Sequence, residues 1–212
     1  MRGNNLINLF VFILFSNLFF LDLYPQINNS IVVKVGNSLI TTVDIQNEIT
    51  TNLIINNQKI TQVNIDNNKN YAIKNLIAKT IKRSEINKYK IENYNKKDLK
   101  DYIENIAKNL NTNQNGLKEI FKKTNIDYQI FVEKHKTELL WNTLIFKLYV
   151  NQTNVNIVEV DNEVEIIKKN KSKDEINKIK KDILNKKKRE KLSLFSRSHL
   201  TNLENSVVIN FQ

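Results

Sequence analysis

Three regimes of hydrophobic patterning follow one another along the chain. From Leu6 to Leu23 nearly every position is apolar, and Leu9-Phe10-Val11-Phe12-Ile13-Leu14-Phe15 runs without a charge. The β-branched run Ile31-Val32-Val33-Lys34-Val35 comes next, followed by Gly36-Asn37 and then Ser38-Leu39-Ile40. It reads as a hairpin whose turn residues supply positive φ. A lone hairpin is marginal in water and needs a further strand or a helix against it. The only other strand-like segment is Ser206-Val207-Val208-Ile209-Asn210-Phe211, so the economical pairing joins the two ends of the chain.

Between these ends the apolar spacing becomes helical. Thr42 caps a first helix to about Asn56, with Ile45, Ile49, Leu53 and Ile54 on one face and Asp44 near its positive end. Asp66 caps a second, in which Ile73, Leu76, Ile77, Thr80 and Ile81 form the core stripe. Asn95 or Lys96 opens a third, with Leu99, Tyr102, Ile103, Ile106 and Leu110 inward; a short fourth covers Gln114 to Lys123, with Leu117, Ile120 and Phe121. Asp127 caps a fifth to about Val150. Its first half is amphipathic, with Tyr128, Phe131, Val132 and His135 on one side, whereas Leu139 to Val150 is apolar nearly all round. Such a helix is clasped by several neighbours or presents a sticky face. Asn156 to Val160 reads as extended, and Asp161 starts a short helix through Ile167. Asp174 to Leu200 reads as a last, charged helix with a thin apolar line of Ile176, Ile179, Ile183, Leu192 and Phe195. The pattern predicts a mainly α fold with a small β element formed by the N- and C-terminal strands.

Composition agrees with helices. Gly numbers 3 and Pro 1 in 212 residues, too few breakers for a sandwich or barrel, and a hydrophobic fraction of 41% excludes a disordered chain. Asn, Lys and Ile are so abundant, as an A/T-biased genome would make them, that a single Asn or Lys carries little information. The net charge of +11 is concentrated: residues 168–191 hold twelve Lys/Arg against four Asp/Glu, which is +8. That run reads first as the solvated face of a long helix; phosphate contact is the competing reading, and no nucleic-acid fold motif accompanies it.

Residues 1–27 read as an address. Met1-Arg2 is the positive start, the apolar stretch is the core of a secretory signal, and Pro25 ends it. No small-x-small pair marks a cleavage site near Leu23 to Asn29. The core is short for a bilayer of about 30 Å. A cleaved signal is the first reading and an uncleaved inner-membrane anchor the alternative; both put residues 28–212 outside the cytoplasm. Chemistry-bearing patterns are scarce. His135 and His199 are the only histidines and there is no Cys, so three or four metal ligands cannot be assembled. Gly3, Gly36 and Gly116 make no phosphate loop, and no Ser sits in a nucleophile elbow. The expectation is a protein with no catalytic residues, metal or cofactor.

The order of elements resembles the SurA N-terminal domain family. Val35-Gly36-Asn37-Ser38-Leu39-Ile40-Thr41-Thr42-Val43-Asp44-Ile45, with Ile49 a turn later, is similar to that family's hairpin and helix start. Leu76-Ile77 through Glu85, with Ile91 after it, resembles its second helix. Ile126-Asp127-Tyr128, Phe131 and Leu139-Leu140-Trp141-Asn142-Thr143-Leu144 resemble its long helix. Val155-Asn156-Ile157 and Val160-Asp161-Asn162-Glu163-Val164 resemble the exit toward its isomerase domains. The resemblance spans residues 31–167 and departs there. Parvulin-type domains follow in that family, whereas here Glu165 to Lys173 joins straight to the last helix; the tail from Asp174 to Gln212 resembles the returning C-terminal helix and strand.

The resemblance implies a chaperone core at 28–167, a returning segment at 168–212, and no prolyl isomerase activity. It implies a periplasmic holdase for unfolded outer-membrane β-barrel precursors, with the barrel assembly machinery as a further partner and no nucleic acid. A peptide binder needs aromatic surface that its own fold leaves unsatisfied. Tyr128, Phe131, Trp141, Phe146 and Tyr149 are the candidates, with Trp141 expected mainly in the core and Phe131 or Tyr128 as the better client contacts. A competing expectation is an inner-membrane-anchored envelope assembly factor, held by its N-terminal segment, whose basic helix Lys168–Lys191 meets anionic lipid.

Overall fold

Two strands joined by a two-residue turn open the described part of the protein, a computed structural model that describes residues 29–169 and 171–212. The signal or anchor expected over residues 1–27 lies outside the described residues. Strand β1 (Ile31–Val35) pairs antiparallel with β2 (Ser38–Thr41), and Gly36 takes the positive φ of the turn at 54°. β3 (Ile209–Phe211) pairs antiparallel with the other edge of β1, in the register Val33–Phe211, Lys34–Asn210 and Val35–Ile209. The order β2-β1-β3 thus places the first strand at the centre and closes the chain end to end. The Gly36 amide donates to the Val208 carbonyl at 2.9 Å, and the Gln212 amide to that of Val32 at 3.0 Å.

Seven α-helices are described: α1 (Thr42–Ile55), α2 (Gln62–Lys88), α3 (Lys96–Asn109), α4 (Gln114–Lys123), α5 (Tyr128–Tyr149), α6 (Ile157–Ile167) and α7 (Lys173–Ser206). The caps of α3, α4 and α5 are Asn95, Asn113 and Asp127, each accepting from a first-turn amide. Four starts or ends differ from expectation. The cap of α1 is Thr41, one residue early, in a capping box with Asp44. α2 begins at a Thr61 cap rather than at Asp66. The β-branched run expected to be extended is instead the first turn of α6, because the Asn156 side chain accepts from the Val158 amide at 3.0 Å. α7 continues to Ser206 because nothing before the last strand interrupts it.

Helix ends in a chain so poor in Gly use Asn and Lys instead. Asn57, Lys90, Asn111 and Asn125 all have positive φ, between 52° and 55°, each one residue past a helix C-cap. In each the following amide reaches back to close the end: Gln58 to Leu53, Ile91 to Ile86, Thr112 to Ala107 and Ile126 to Phe121. This is the left-handed stop usually made by Gly; Asn tolerates it best among other residues.

The core has three connected parts. The sheet lays Val33, Val35 and Ile40 against Ile45, Ile49 and Leu53 of α1 and Leu76, Ile77 and Ile81 of α2. The α3–α4 hairpin closes over the start of α5, gathering Ile54, Ile103, Leu117, Phe121 and Phe131. Trp141, Leu144 and Ile145 of α5 pack with Ile86 of α2 and Leu192 of α7. Leu200 and Leu203 of α7 pack on both the first and third parts, so the last helix bolts them together. The N-terminal half of α7 instead pairs with α6. Val160 and Val164 are buried in that contact, and Lys180 pairs with Asp161 and Lys187 with Glu159 and Glu163. The hydrogen bonds that the Lys187 ammonium donates to Glu163 and Glu159 hold its pKa well above the usual lysine range.

Candidate functional site

The five aromatic candidates all stand on α5, and their neighbours sort them. Phe131 is 1% exposed, wedged between Phe121 at 5.2 Å, Tyr128 at 5.6 Å and Tyr102 at 5.8 Å between ring centroids. The expectation that Phe131 is a client contact is therefore corrected. The half of α5 that looked sparse is roofed by α3 and α4, and Phe131 is the centre of that packing. Tyr128 is half-buried at its edge, its ring against Phe121 and under the Lys118 ammonium at 5.7 Å. Trp141 is core as expected, 1% exposed, its indole N–H donating to the Ser196 hydroxyl of α7 at 2.8 Å. Tyr149 is half-buried; it stacks on Phe195 at 4.9 Å and its hydroxyl shares a 2.8 Å hydrogen bond with His199 Nδ1. That leaves Phe146, 54% exposed, as the candidate with an open face.

His135 lies in the roofed half of α5, its ring stacked on Tyr102 at 3.6 Å and 8° between planes. Burial depresses its pKa from 6.5, more than Glu138 and Asp98 raise it. A depressed histidine favours the folded state only while neutral. Its contribution is complete above pH 6.5 and is lost as pH falls below that value toward the folded pKa. The melting temperature should fall as pH is taken from 7 to below 6.5. His135→Phe, which keeps the stack, should make that fall shallower, and a variant with an unchanged slope would exclude this source.

Two polar regions lie between the helices, and in the second the His199 Nε2 is buried without a hydrogen-bond partner among the described residues. Between α1, α2 and α5, Glu48 is buried and meets the Lys134 ammonium at 2.6 Å, Asn52 at 3.3 Å and Asn75 at 3.4 Å. Lys82 closes on Glu138 at 2.6 Å beside it, while burial lowers the pKa of Lys79. Between α2 and α7, buried Glu85 lies 3.3 Å from Lys88 and 3.5 Å from His199. Burial keeps the pKa of Tyr149 raised, and the Tyr149–His199–Glu85 line ties α5, α7 and α2 together. Among the described residues no group of three or more His, Cys, Asp or Glu could hold a metal ion. Among the same residues no helix is long and apolar enough to cross a membrane.

Phe146 belongs to a groove between α5 and α7. Asn142, Ile145 and Phe146 form one wall; Arg189, Leu192, Ser193, Ser196 and Arg197 form the other. The α7 set falls at i, i+3, i+4, i+7 and i+8, a single stripe. The groove encloses about 860 Å³ with its open mouth included, which is room for several side chains. Its floor is apolar, its walls carry an amide and two hydroxyls beside the two guanidiniums, and among the described residues no carboxylate lines it. Sequence reading missed the α7 wall because Leu192 was read only as part of a thin core line in a lysine-rich helix. The signal that could have found it is Arg: the chain has 29 Lys and four Arg, and two of those four stand in this stripe. No family model matches the chain, and no curated protein matches its sequence.

Proposed function

We propose that the protein is a holdase-type chaperone of the periplasm that binds unfolded outer-membrane β-barrel precursors in the α5–α7 groove, without prolyl isomerase activity. The single observation that carries this reading is the open face of Phe146 over an apolar floor. A globular core buries such a ring where it can, and a partly unsatisfied aromatic beside amide and hydroxyl groups suits an apolar peptide whose backbone also needs partners. The apolar start of the chain supports export, and the resemblance of residues 31–167 to the SurA N-terminal domain family supports the client class.

A second reading, an envelope assembly factor that touches anionic lipid, is favoured by the tip of the α6–α7 arm. Ile166 is 80% exposed there, beside the exposed Lys168, Lys169, Lys171 and Lys173. One experiment separates the two. A photo-crosslinking side chain at position 146 should capture unfolded barrel precursors in cell envelopes, and one at position 131 should not. Capture of lipid from position 166, with no polypeptide captured from 146, would replace the first reading with the second.

A further inference from the structure

The two arginines of the groove are out of character for this chain. Every other position in α7 that carries a cation carries Lys, ten cations in all with Arg189 and Arg197 included. Neither guanidinium is ion-paired within the described residues, both are exposed, and both face a groove without a carboxylate. Lys supplies charge as a compact point; Arg supplies a planar fork that grips a carboxylate with two parallel hydrogen bonds. Lys already saturates the helix with charge, so Arg at these two positions points to carboxylate geometry.

Their spacing selects the ligand. Eight residues of helix separate Arg189 from Arg197, a rise of about 12 Å. Four residues of extended chain advance about 13 Å, and the first, third and fifth side chains of such a stretch share one face. An extended segment laid along the groove would present its first and fifth residues to the two guanidiniums. Its third would fall over Leu192, which lies between them on the helix and shares the groove with Phe146 on the facing wall. We infer that the groove selects extended client segments of the form acid-x-apolar-x-acid. This inference rests on the groove being the client site. A client's free C-terminal carboxylate would engage one guanidinium only and is the weaker fit.

Fluorescence anisotropy on the purified protein tests it with short labelled peptides blocked at both ends. The probes carry Asp-Thr-Phe-Thr-Asp, Asn-Thr-Phe-Thr-Asn or the misplaced pair Asp-Asp-Phe-Thr-Thr. The spaced acidic peptide should bind about tenfold more tightly than the Asn peptide, and more tightly than the misplaced pair. Arg189→Gln with Arg197→Gln should erase that preference, so that the Asp and Asn peptides bind with equal affinity. Arg189→Lys with Arg197→Lys should keep a salt-sensitive remainder and lose the spacing preference. Equal affinity for the spaced and misplaced acidic peptides would overturn the spacing. Equal affinity for the Asp and Asn peptides would overturn acid selection but leave the groove standing, provided that Phe146→Asp weakens both. Binding of all three peptides that Phe146→Asp leaves untouched would overturn the selection and the groove together.

Discussion

Deleting residues 203–212 is expected to remove most of the protein's cooperative stability. The deletion takes β3 from the edge of β1 and leaves the amide of Gly36 and the carbonyl of Val32 without their partners. It also takes Leu203, Val207 and Ile209, all packed on the sheet side of the core. Leu203 touches the Trp141 part of the core as well. Large buried side chains removed from a core cost about 2–5 kcal/mol each. Even with these three only partly buried, the total reaches roughly 5 kcal/mol, the lower end of what a domain has in all. The truncated chain should melt at least about 10 °C lower, or lose its cooperative transition. A melting temperature equal to that of the intact chain would mean that the end-to-end sheet does not hold the fold.

The second large effect is expected at Trp141. Trp141→Ala opens a cavity between α2, α5 and α7, which typically costs about 3–5 kcal/mol, and it leaves the Ser196 hydroxyl without the indole donor. Urea denaturation should show the loss as a lower midpoint with an unchanged slope. Client binding should weaken only as far as the folded population falls. Phe146→Ala, by contrast, should change stability by no more than about 1 kcal/mol, because its ring is more than half open. A variant Trp141→Ala of normal stability would show that the indole is not a core anchor.

These two residues sit five positions apart on one helix, and their difference marks how far the sequence could be read. Helical spacing told that the second half of α5 was apolar on all sides. It could not tell which side α7 would cover, because that depends on where a helix more than forty residues away returns. The same limit misplaced Phe131: its face was legible, but the roof of α3 and α4 over it was not. The sheet was legible end to end, since two β-branched segments each needed an edge. The starts of α3 and α5 were legible from Asn95 and Asp127, and that of α4 from its apolar spacing. The ends of α1, α4, α5 and α6 were legible to within a residue, but not the residues that make the stops: Asn was discounted as compositional bias, whereas Asn57, Asn111 and Asn125 hold the left-handed positions that Gly would otherwise supply. The Arg189–Arg197 stripe was hidden for a related reason: a net count of charge treats Arg and Lys as one residue.

The α5–α7 groove as client site is tested most directly by suppression of aggregation. An unfolded outer-membrane β-barrel precursor diluted from urea would be followed by light scattering in the presence of the intact protein, Phe146→Asp or Tyr128→Ala. A charge placed on the open face of the groove should leave the fold intact, confirmed by an unchanged melting temperature. Phe146→Asp should nevertheless lose most of the suppression that the intact protein gives, while Tyr128→Ala, at the edge of the α3–α4 roof, should retain it. Undiminished suppression by a folded Phe146→Asp variant would contradict the account.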